Sequence, residues 1–461
     1  MSLPAQVTLA DLELLRRAAD PLADDTIARL LGPWHDDQHG NFEVLGVVSR
    51  QMEQWKTNAD LAGWRAGPDV DPDVNAALQA YLQAGMALPS WADPERIKRA
   101  EALFFDFGML SCTLLFCSSL PECYVIPDLA AVLHVAGQLE QRTDHRIRAT
   151  AAMIFPVMMV GGLTDAAGGG LAQVLKVRLI HATIRHLILR GNPSQVGHLA
   201  RVASQPVEGK PGDLHQALFA LGWNIADDGM PCSQDELAYT LLTFGYVFLR
   251  SLRKLGLGLP KEDELAYLHT WNVMGHVLGM EATLMAHTME QAEALFTRLQ
   301  QRGRLQTYAP DPRPGLGQAL MKTMADVIPF HCIKPFPVLL TRHLCGKTTA
   351  TDIGIAGGVG LFSRLLFVAL MLFFRAVDFC VRLVFKEFSI CRMITRVVGY
   401  QFTCKVLMSQ TRPLKLPPAL LNQMGAMTRH WHVDPKAPRW LNRVEHYLTK
   451  RKASPLEGVK A

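Results

Sequence analysis

Apolar residues return every three or four positions along most of the chain, which is the spacing that predicts amphipathic helices. On this basis helices are predicted over 9–31, 72–86, 94–118, 126–139, 144–161, 171–190, 213–222, 233–255, 261–283 and 287–302. The period-two alternation with β-branched residues that is typical of strands is scarce, and no glycine-rich loop follows a strand. We therefore predict a mostly α fold. The glycine-rich stretches 161–170 and 207–213 predict loops, and the polar, proline-rich stretch 303–320 predicts a linker or a lid.

The C-terminal part of the chain has a different pattern, because residues 353–400 are almost continuously apolar with a few charges. On a helix these charges fall within a stripe about 80° wide; they are Arg364, Arg375, Asp378, Arg382, Lys386 and Arg396. A broad apolar face beside a narrow cationic stripe favours a helix that lies in a membrane interface. Two alternatives remain open, a core helix with one charged edge and a true membrane span in which Arg364 snorkels.

Charge divides the chain into an acidic body and a basic tail. The net charge is +5, but from Thr341 onward there are 19 Lys and Arg against 6 Asp and Glu. The tail cations are interleaved with Leu, Phe and Val, which argues against nucleic acid and for an anionic membrane surface. With 49% hydrophobic and 19% charged residues, disorder is excluded as the main state.

Nine cysteines contain no CxxC pair, so we expect reduced thiols and neither a zinc ribbon nor a disulfide framework. The first 25 residues lack a long apolar run, so no secretion signal is predicted. Together these features predict a cytoplasmic protein with possible association of its tail with a membrane. The motifs GxSxG, HExxH and the Walker loop are missing, as is GxGxxG after a strand, so hydrolase, P-loop and dinucleotide-binding functions have no support.

Histidines on apolar helices are the main candidates for chemistry. His181 lies among Val, Leu and Ile side chains, where an imidazole needs a hydrogen bond or a metal. A single helical histidine with an open opposite side suits a b-type haem, and without CxxCH the haem would be held non-covalently. A core histidine with an ordinary hydrogen bond is the alternative. His181 and His186 point to different faces, whereas His269 and His276 share a face two turns apart.

Cations and a hydroxyl near these helices complete the candidate site. Arg178 and Arg185 flank His181 and could pair with haem propionates. Arg146 and Thr150 are four residues apart, so they share a helix face and could donate hydrogen bonds to dioxygen. Alternatively, Thr150 bonds to its own helix and Arg146 pairs with an acid such as Glu140.

Several segments, in order, resemble the rubber oxygenase (latex clearing protein) and MpaB-type oxygenase family. The matching segments are LPSWAD (88–93), RIRAT (146–150, with Arg146 and Thr150), VRLIHATIRH (177–186), DLHQAL (around His215), GMPCSQDEL (229–237), HTWNVMGHVLGM (269–280) and TRHLCGKTTATDIG (341–354). They cover roughly 40–355. The resemblance divides the chain into an N-terminal helical segment (1–40), an MpaB-type haem domain (41–355) and a basic, apolar helical extension (356–461).

The resemblance implies a globin-like helical core with additional helices that binds one haem b, whose iron is the metal. His181 matches the axial ligand of the family, and Arg146 and Thr150 match its distal Arg and Thr. The remaining recurring histidines match the surroundings of the haem pocket; they are His186, His215, His269 and His276. Two departures concern the substrate: Ala149 stands where rubber-cleaving members have Lys, and no Glu is well placed as a base, Glu140 and Glu122 being the nearest.

These observations predict a haem b-dependent oxidoreductase, an oxygenase or dioxygenase acting with O2 on C=C bonds of an apolar isoprenoid or lipid-like substrate. Peripheral contact of 356–400 with a membrane is predicted to hold it where such substrates dissolve. Two alternatives stay open: a haem protein without oxygenase activity, such as a sensor or peroxidase-like scavenger, and a cofactor-free membrane-peripheral interaction protein.

Overall fold

The structure, a computed structural model, describes residues 8–34, 39–139, 153–205, 214–326, 328 and 330–384. These residues are predominantly helical, and within them pairing of strand type is limited to one isolated bridge, Val202 with Trp223. The mostly α fold class is thereby confirmed.

The helices of the first half are α1 Leu9–Arg16, α2 Pro21–Leu31, α3 His39–Met52, α4 Pro72–Gly85, α5 Pro94–Phe107, α6 Met109–Leu114, a π-helical turn Leu115–Ser119, α7 Leu120–Cys123, α8 Pro127–Leu139, α9 (the helical residues 153–158) and α10 Gly170–Leu189. Those of the second half are α11 Pro193–Val196, α12 Leu214–Ala220, α13 Ile225–Asp228, α14 Gln234–Phe244, α15 Tyr246–Lys254, α16 Lys261–Val277, a 3-10 turn Ala282–Leu284, α17 Met289–Gly303, α18 Arg313–Asp326, α19 Phe336–Cys345, α20 Lys347–Asp352 and α21 Leu361–Val384.

Three segments predicted as single helices are each broken. The first is interrupted before Pro21, which lacks the N–H that a continuous helix needs. The second stops at Gly108, whose φ of 44° lies in the left-handed region and whose lack of a Cβ allows the turn. The third breaks at Gly245, where an added Cβ would lie 3.3 Å from the Trp271 side chain. Close packing and backbone geometry therefore divide segments that hydrophobic spacing alone joins.

Other boundaries also differ from the sequence predictions. Helix α3 was not predicted, although Leu45 and Val48 of this helix are buried at helical spacing. The stretch 303–320, predicted as a linker or lid, enters α18 at Arg313, and Leu316 and Leu320 of that helix are buried. That prediction is therefore wrong for its second half. Of the helix predicted over 144–161, residues 144–152 lie outside the described residues.

The core surrounds α10, which packs against α2, α12 and α16, while α5 packs along α16. Helix α10 has buried side chains on most of its circumference, as expected for a helix enclosed by others. It begins after the 161–170 loop, which Asn58 fixes by donating hydrogen bonds to the carbonyls of Gly162 (2.9 Å) and Asp165 (2.8 Å). Helix α10, which carries His181 and His186, is therefore fixed along its length by neighbouring helices and at its N-terminus by the preceding loop.

Helix α21 lies at the outside of the molecule. It contacts α19 through the Phe336 and Phe367 rings (5.5 Å between centroids), and Nη2 of Arg375 donates to the Lys254 carbonyl (2.8 Å). Most of its other apolar side chains are exposed, so the alternative of a core helix is wrong for this part of the tail. Within the described residues no single helix has the length and apolarity to cross a bilayer; only the pair Pro94–Phe107 and Leu110–Cys123, bent by 90°, passes on length and composition.

Candidate functional site

His181 lies in the middle of α10 and has the properties of a side chain that could bind a metal. Its Nδ1 is buried without a hydrogen-bond partner among the described residues. Burial, with a contribution from the nearby charge of Arg185, lowers the pKa of His181 to about 4. At neutral pH the imidazole is therefore uncharged, which is the form that binds a metal. A buried polar atom left unpaired costs stability, so the position suits a side chain that has a partner when the protein works.

The side chains one turn before and after His181 leave an apolar surface beside the ring. Val177 and Ile184 are only partly buried, and Ile180 is 42% exposed although it lies in the centre of a packed helix. A porphyrin needs one neutral imidazole and an apolar slot. The orphaned Nδ1 and this incompletely covered face of α10 therefore fit a haem.

An apolar cleft of about 370 Å³ opens next to the same face, between α3, α10 and α12. The side chains that line it are Leu45, Val48, Ser49, Met52, Glu53, Lys176, Ile180, Thr183, Ile184, Leu187, Leu214, His215 and Leu218. Ile180 and Ile184 belong both to the cleft and to the flank of His181. His215, predicted near the haem, is thus a wall residue of a mostly apolar cleft.

The two arginines predicted to pair with propionates each have a carboxylate of their own. Arg178 forms two hydrogen bonds with Asp20, from Nε (2.6 Å) and Nη2 (2.7 Å), and donates from Nη1 to the Val277 carbonyl (3.0 Å). Arg185 donates from Nε to Asp24 (2.8 Å) and from Nη1 to the Cys232 carbonyl (2.6 Å).

Both ion pairs are buried, and they fasten α10 to α2. The sequence signal for them is the i, i+4 spacing of the two aspartates, which puts both on one face of α2. The charges of Arg178 and Arg185 are therefore matched within the protein, and any contact with a propionate stays a prediction.

His186 occupies an aromatic environment at the C-terminal part of α10. It is 2% exposed, both ring nitrogens lack partners among the described residues, and burial lowers its pKa to about 4. Its ring lies 5.8 Å from that of Trp34, which also packs on Phe42 and Phe219. His186 is thus a second neutral histidine on this helix, turned away from the face that carries His181.

His269 and His276 lie on the same face of α16, as their spacing predicts, and the Trp91 ring contacts both edgewise (5.6 and 6.0 Å between centroids). The Asp93 backbone N–H donates to Nε2 of His269 (2.9 Å), which requires this nitrogen to be unprotonated. Burial, then the charge of Arg96, lowers the pKa of His269. His269 therefore fastens the segment before α5 to α16, while His276 is exposed beside it.

Arg146, Thr150, Ala149 and Glu140 lie outside the described residues, so their roles remain predictions. Glu122, the other candidate base, is buried in α7 with its carboxylate fully engaged. Arg250 donates to Oε1 (2.6 Å), while Gln300 (2.8 Å) and Thr349 (3.1 Å) donate to Oε2. Both carboxylate oxygens are thus occupied by donors from α15, α17 and α20, so Glu122 serves to join helices.

Glu101 of α5 is a buried acid that the sequence analysis missed. Its Oε2 accepts the backbone N–H of Gly161 (2.8 Å), just after α9, and Oε1 has no partner among the described residues. Burial raises the pKa of Glu101 to about 7, against hydrogen bonds from the Gly161 and Gly162 amides. Its sequence signal is its spacing, since it lies four residues after Ile97 and three before Phe104, which are both buried on the same face of α5. In the part of the chain described, no group of three or more His, Cys, Asp or Glu could hold a metal ion.

Comparison with known proteins adds a family to this geometry. The family described as ER-bound oxygenase mpaB/B'/Rubber oxygenase, catalytic domain, matches residues 123–376. The rubber oxygenase of Streptomyces sp. (strain K30) is 25% identical over 258 residues, 54% of this chain and 55% of that protein. The chain thus spans about half the length of this curated relative. The solved structure of latex clearing protein LCP in the closed state has the same fold, with a TM-score of 0.57 and 17% identity over 90% of both chains.

Proposed function

The chain belongs to the family of ER-bound oxygenases mpaB/B' and rubber oxygenases, and on this premise we propose that it is a haem b-dependent oxygenase. Its substrate is an apolar, isoprenoid or lipid-like molecule whose C=C bonds it oxidises or cleaves with dioxygen. The observation that carries the proposal is His181, a neutral imidazole with an orphaned Nδ1 in the middle of the packed helix α10.

When bound, haem b would supply the electron-transfer chemistry of dioxygen. The chain's own contribution begins with holding one imidazole neutral and fixed. The α2–α10 ion pairs set the position of α10, so the His181 ring would need little reorganisation to hold the haem iron. Val177 and Ile184 supply an apolar surface that excludes water beside it.

Arg146 and Thr150 lie outside the described residues; as the family resemblance implies, they would donate hydrogen bonds to dioxygen. Ala149 cannot replace the lysine that rubber-cleaving members carry at this position, because it has no ionisable group. This argues for a substrate other than rubber within the apolar class.

The cleft supports the apolar class of substrate. Its walls are mostly aliphatic, and two of them, Ile180 and Ile184, also flank His181. A hydrocarbon chain would lose water contact along these walls, which stabilises it by about 25 cal/mol per Å² buried. The seven described cysteines are free thiols. This supports the proposal that the enzyme acts in a reducing compartment, on the cytoplasmic side of a membrane.

Oxygen consumption tests the activity. The full chain, expressed with added haem precursor, is incubated with a polyunsaturated isoprenoid alcohol or with its fully hydrogenated analogue. We expect oxygen uptake and carbonyl products only with the unsaturated chain. Equal uptake with both, or none with a panel of unsaturated lipids, would contradict the proposal.

A haem protein without oxygenase activity is the second candidate, and Glu122 favours it. The oxygens of this carboxylate are occupied by Arg250, Gln300 and Thr349, so it is not available as a base. The outcome that selects this candidate is a preparation with bound haem that consumes no oxygen with any unsaturated lipid.

A further inference from the structure

Most exposed positions of α21 are apolar. At about 100° per residue, the positions of Leu361–Cys380 that face outward form an arc of roughly 140°. We call this the apolar arc; its members are Leu361, Phe362, Leu365, Val368, Ala369, Leu372, Phe373, Ala376, Phe379 and Cys380. Seven large members are between 51% and 72% exposed: Leu361, Phe362, Leu365, Val368, Leu372, Phe373 and Phe379. Contiguous exposed apolar surface of this extent marks an interaction site.

The opposite side of α21 is attached to the body of the protein. Ser363 is buried and Phe367 packs on Phe336, while at the edge of the helix Arg375 donates to the carbonyl of Lys254 at the end of α15. These contacts fix the rotation of the helix about its axis. The apolar arc therefore faces outward, because the opposite side of α21 packs against the body of the protein.

Cations border the apolar arc on one edge. Arg364 and Arg375 are both exposed and lie within about 40° of the nearest arc position, Val368. Burial, and then the charge of Arg364, lowers the pKa of Arg342 in α19. Arg342 is therefore a third cation close to this edge of the helix. Residues 341–384 carry five basic residues against two acidic ones, so this part of the described chain attracts anions.

We propose that α21 is a docking element for an anionic lipid bilayer, with the apolar arc inserted at the level of the acyl chain boundary and the bordering arginines at the phosphates. Apolar insertion and attraction to anionic lipids add in such helices. A second copy of the chain is the competing occupant, but an antiparallel dimer through this face would bring the arginine edges of both copies side by side. The proposal is independent of the oxygenase function.

Vesicle flotation of the full chain tests the docking. The vesicles are pure phosphatidylcholine or phosphatidylcholine with 30% phosphatidylserine, at about 0.05 and 0.5 M salt. The double variant L365E/L372E charges the centre of the apolar arc. The control L305E places the same charge on Leu305, which is 84% exposed outside α21.

We expect the wild type and L305E to float with anionic vesicles, less at high salt because the headgroup attraction is screened. L365E/L372E should bind at least about tenfold less, with an unchanged circular dichroism spectrum. Equal flotation of L365E/L372E and wild type, or equal binding to both lipid compositions, would overturn the proposal. So would a wild-type dimer in light scattering that L365E/L372E converts to a monomer without vesicle binding at any stage.

Discussion

Buried charges in this protein have partners that also connect helices. Asp20 and Asp24 on α2 hold Arg178 and Arg185 on α10, and Glu122 holds Arg250. A buried ion pair adds little net stability, but removing one partner leaves a charge unpaired and costs about 3–5 kcal/mol. The pairs on either side of His181 therefore fix the orientation of α10 more than they raise stability.

Glu101 gives a prediction about pH at the scale of one residue. Its folded pKa of about 7 is above the ordinary value of 4.5, so the folded state binds the proton more tightly. The stability from this group is complete below about pH 4.5 and is lost as the pH rises through about 7. We expect a loss on the order of 2–3 kcal/mol in the free energy of unfolding.

The variant E101Q keeps an acceptor for the Gly161 N–H but cannot ionise. Urea unfolding at pH 5, 6.5 and 8 should show that E101Q gains stability relative to wild type as the pH rises. E95Q, at an exposed position of the same helix, is the control and should follow the wild type. If E101Q and wild type had the same pH dependence, the burial of an ionising Glu101 would be refuted.

At the scale of elements, periodicity predicted most helices, and physical contacts account for the failures. The helix with His181 was predicted within one residue at each end, because an enclosed helix has a long apolar pattern with clear glycine boundaries. The breaks at Pro21, Gly108 and Gly245 depend on local backbone geometry and on packing against residues distant in sequence. Sequence spacing does not contain that information.

Of the candidate site, the sequence predicted the positions of the histidines but not the partners of the charged residues. The position of His181 on an apolar helix follows from the sequence, and so does the shared face of His269 and His276. The partners of Arg178 and Arg185 do not, because Asp20 and Asp24 are more than 150 residues away and only the fold brings them near. The acceptor nitrogen of His269 likewise depends on a distant backbone amide.

The cleft beside α10 gives a prediction at this scale. Replacing Ile180 by Asp puts a carboxylate in a wall that an apolar chain must contact, which is costly to desolvate. We expect KM for an unsaturated hydrocarbon substrate, measured on the haem-loaded fraction of the protein, to rise about tenfold or more, equivalent to about 1.4 kcal/mol. Initial rates over a range of substrate concentrations measure this.

Leu199→Asp is a matched control for Ile180→Asp. Leu199 is 41% exposed against 42% for Ile180, but it does not line the cleft. KM should stay at the wild-type value in the Leu199 variant. An unchanged KM in the Ile180 variant would exclude the cleft as the substrate path.

At the scale of the whole molecule, two separate regions have different proposed roles. The interior around α10 offers a neutral ligand and an apolar cleft, and the outside of α21 offers an apolar arc with a basic border. A substrate that dissolves in lipid is most concentrated in a membrane. An enzyme docked there would therefore meet its substrate without drawing it through water.

The absorption spectrum of the purified full chain, with haem quantified per chain, tests the central claim most directly. After expression with added haem precursor, the wild type and the exposed-histidine control His198→Ala should show a Soret band and about one haem per chain. His181→Ala should lose both, since no other neutral imidazole shares its face of α10. A colourless wild type, or full haem content in His181→Ala, would contradict the account.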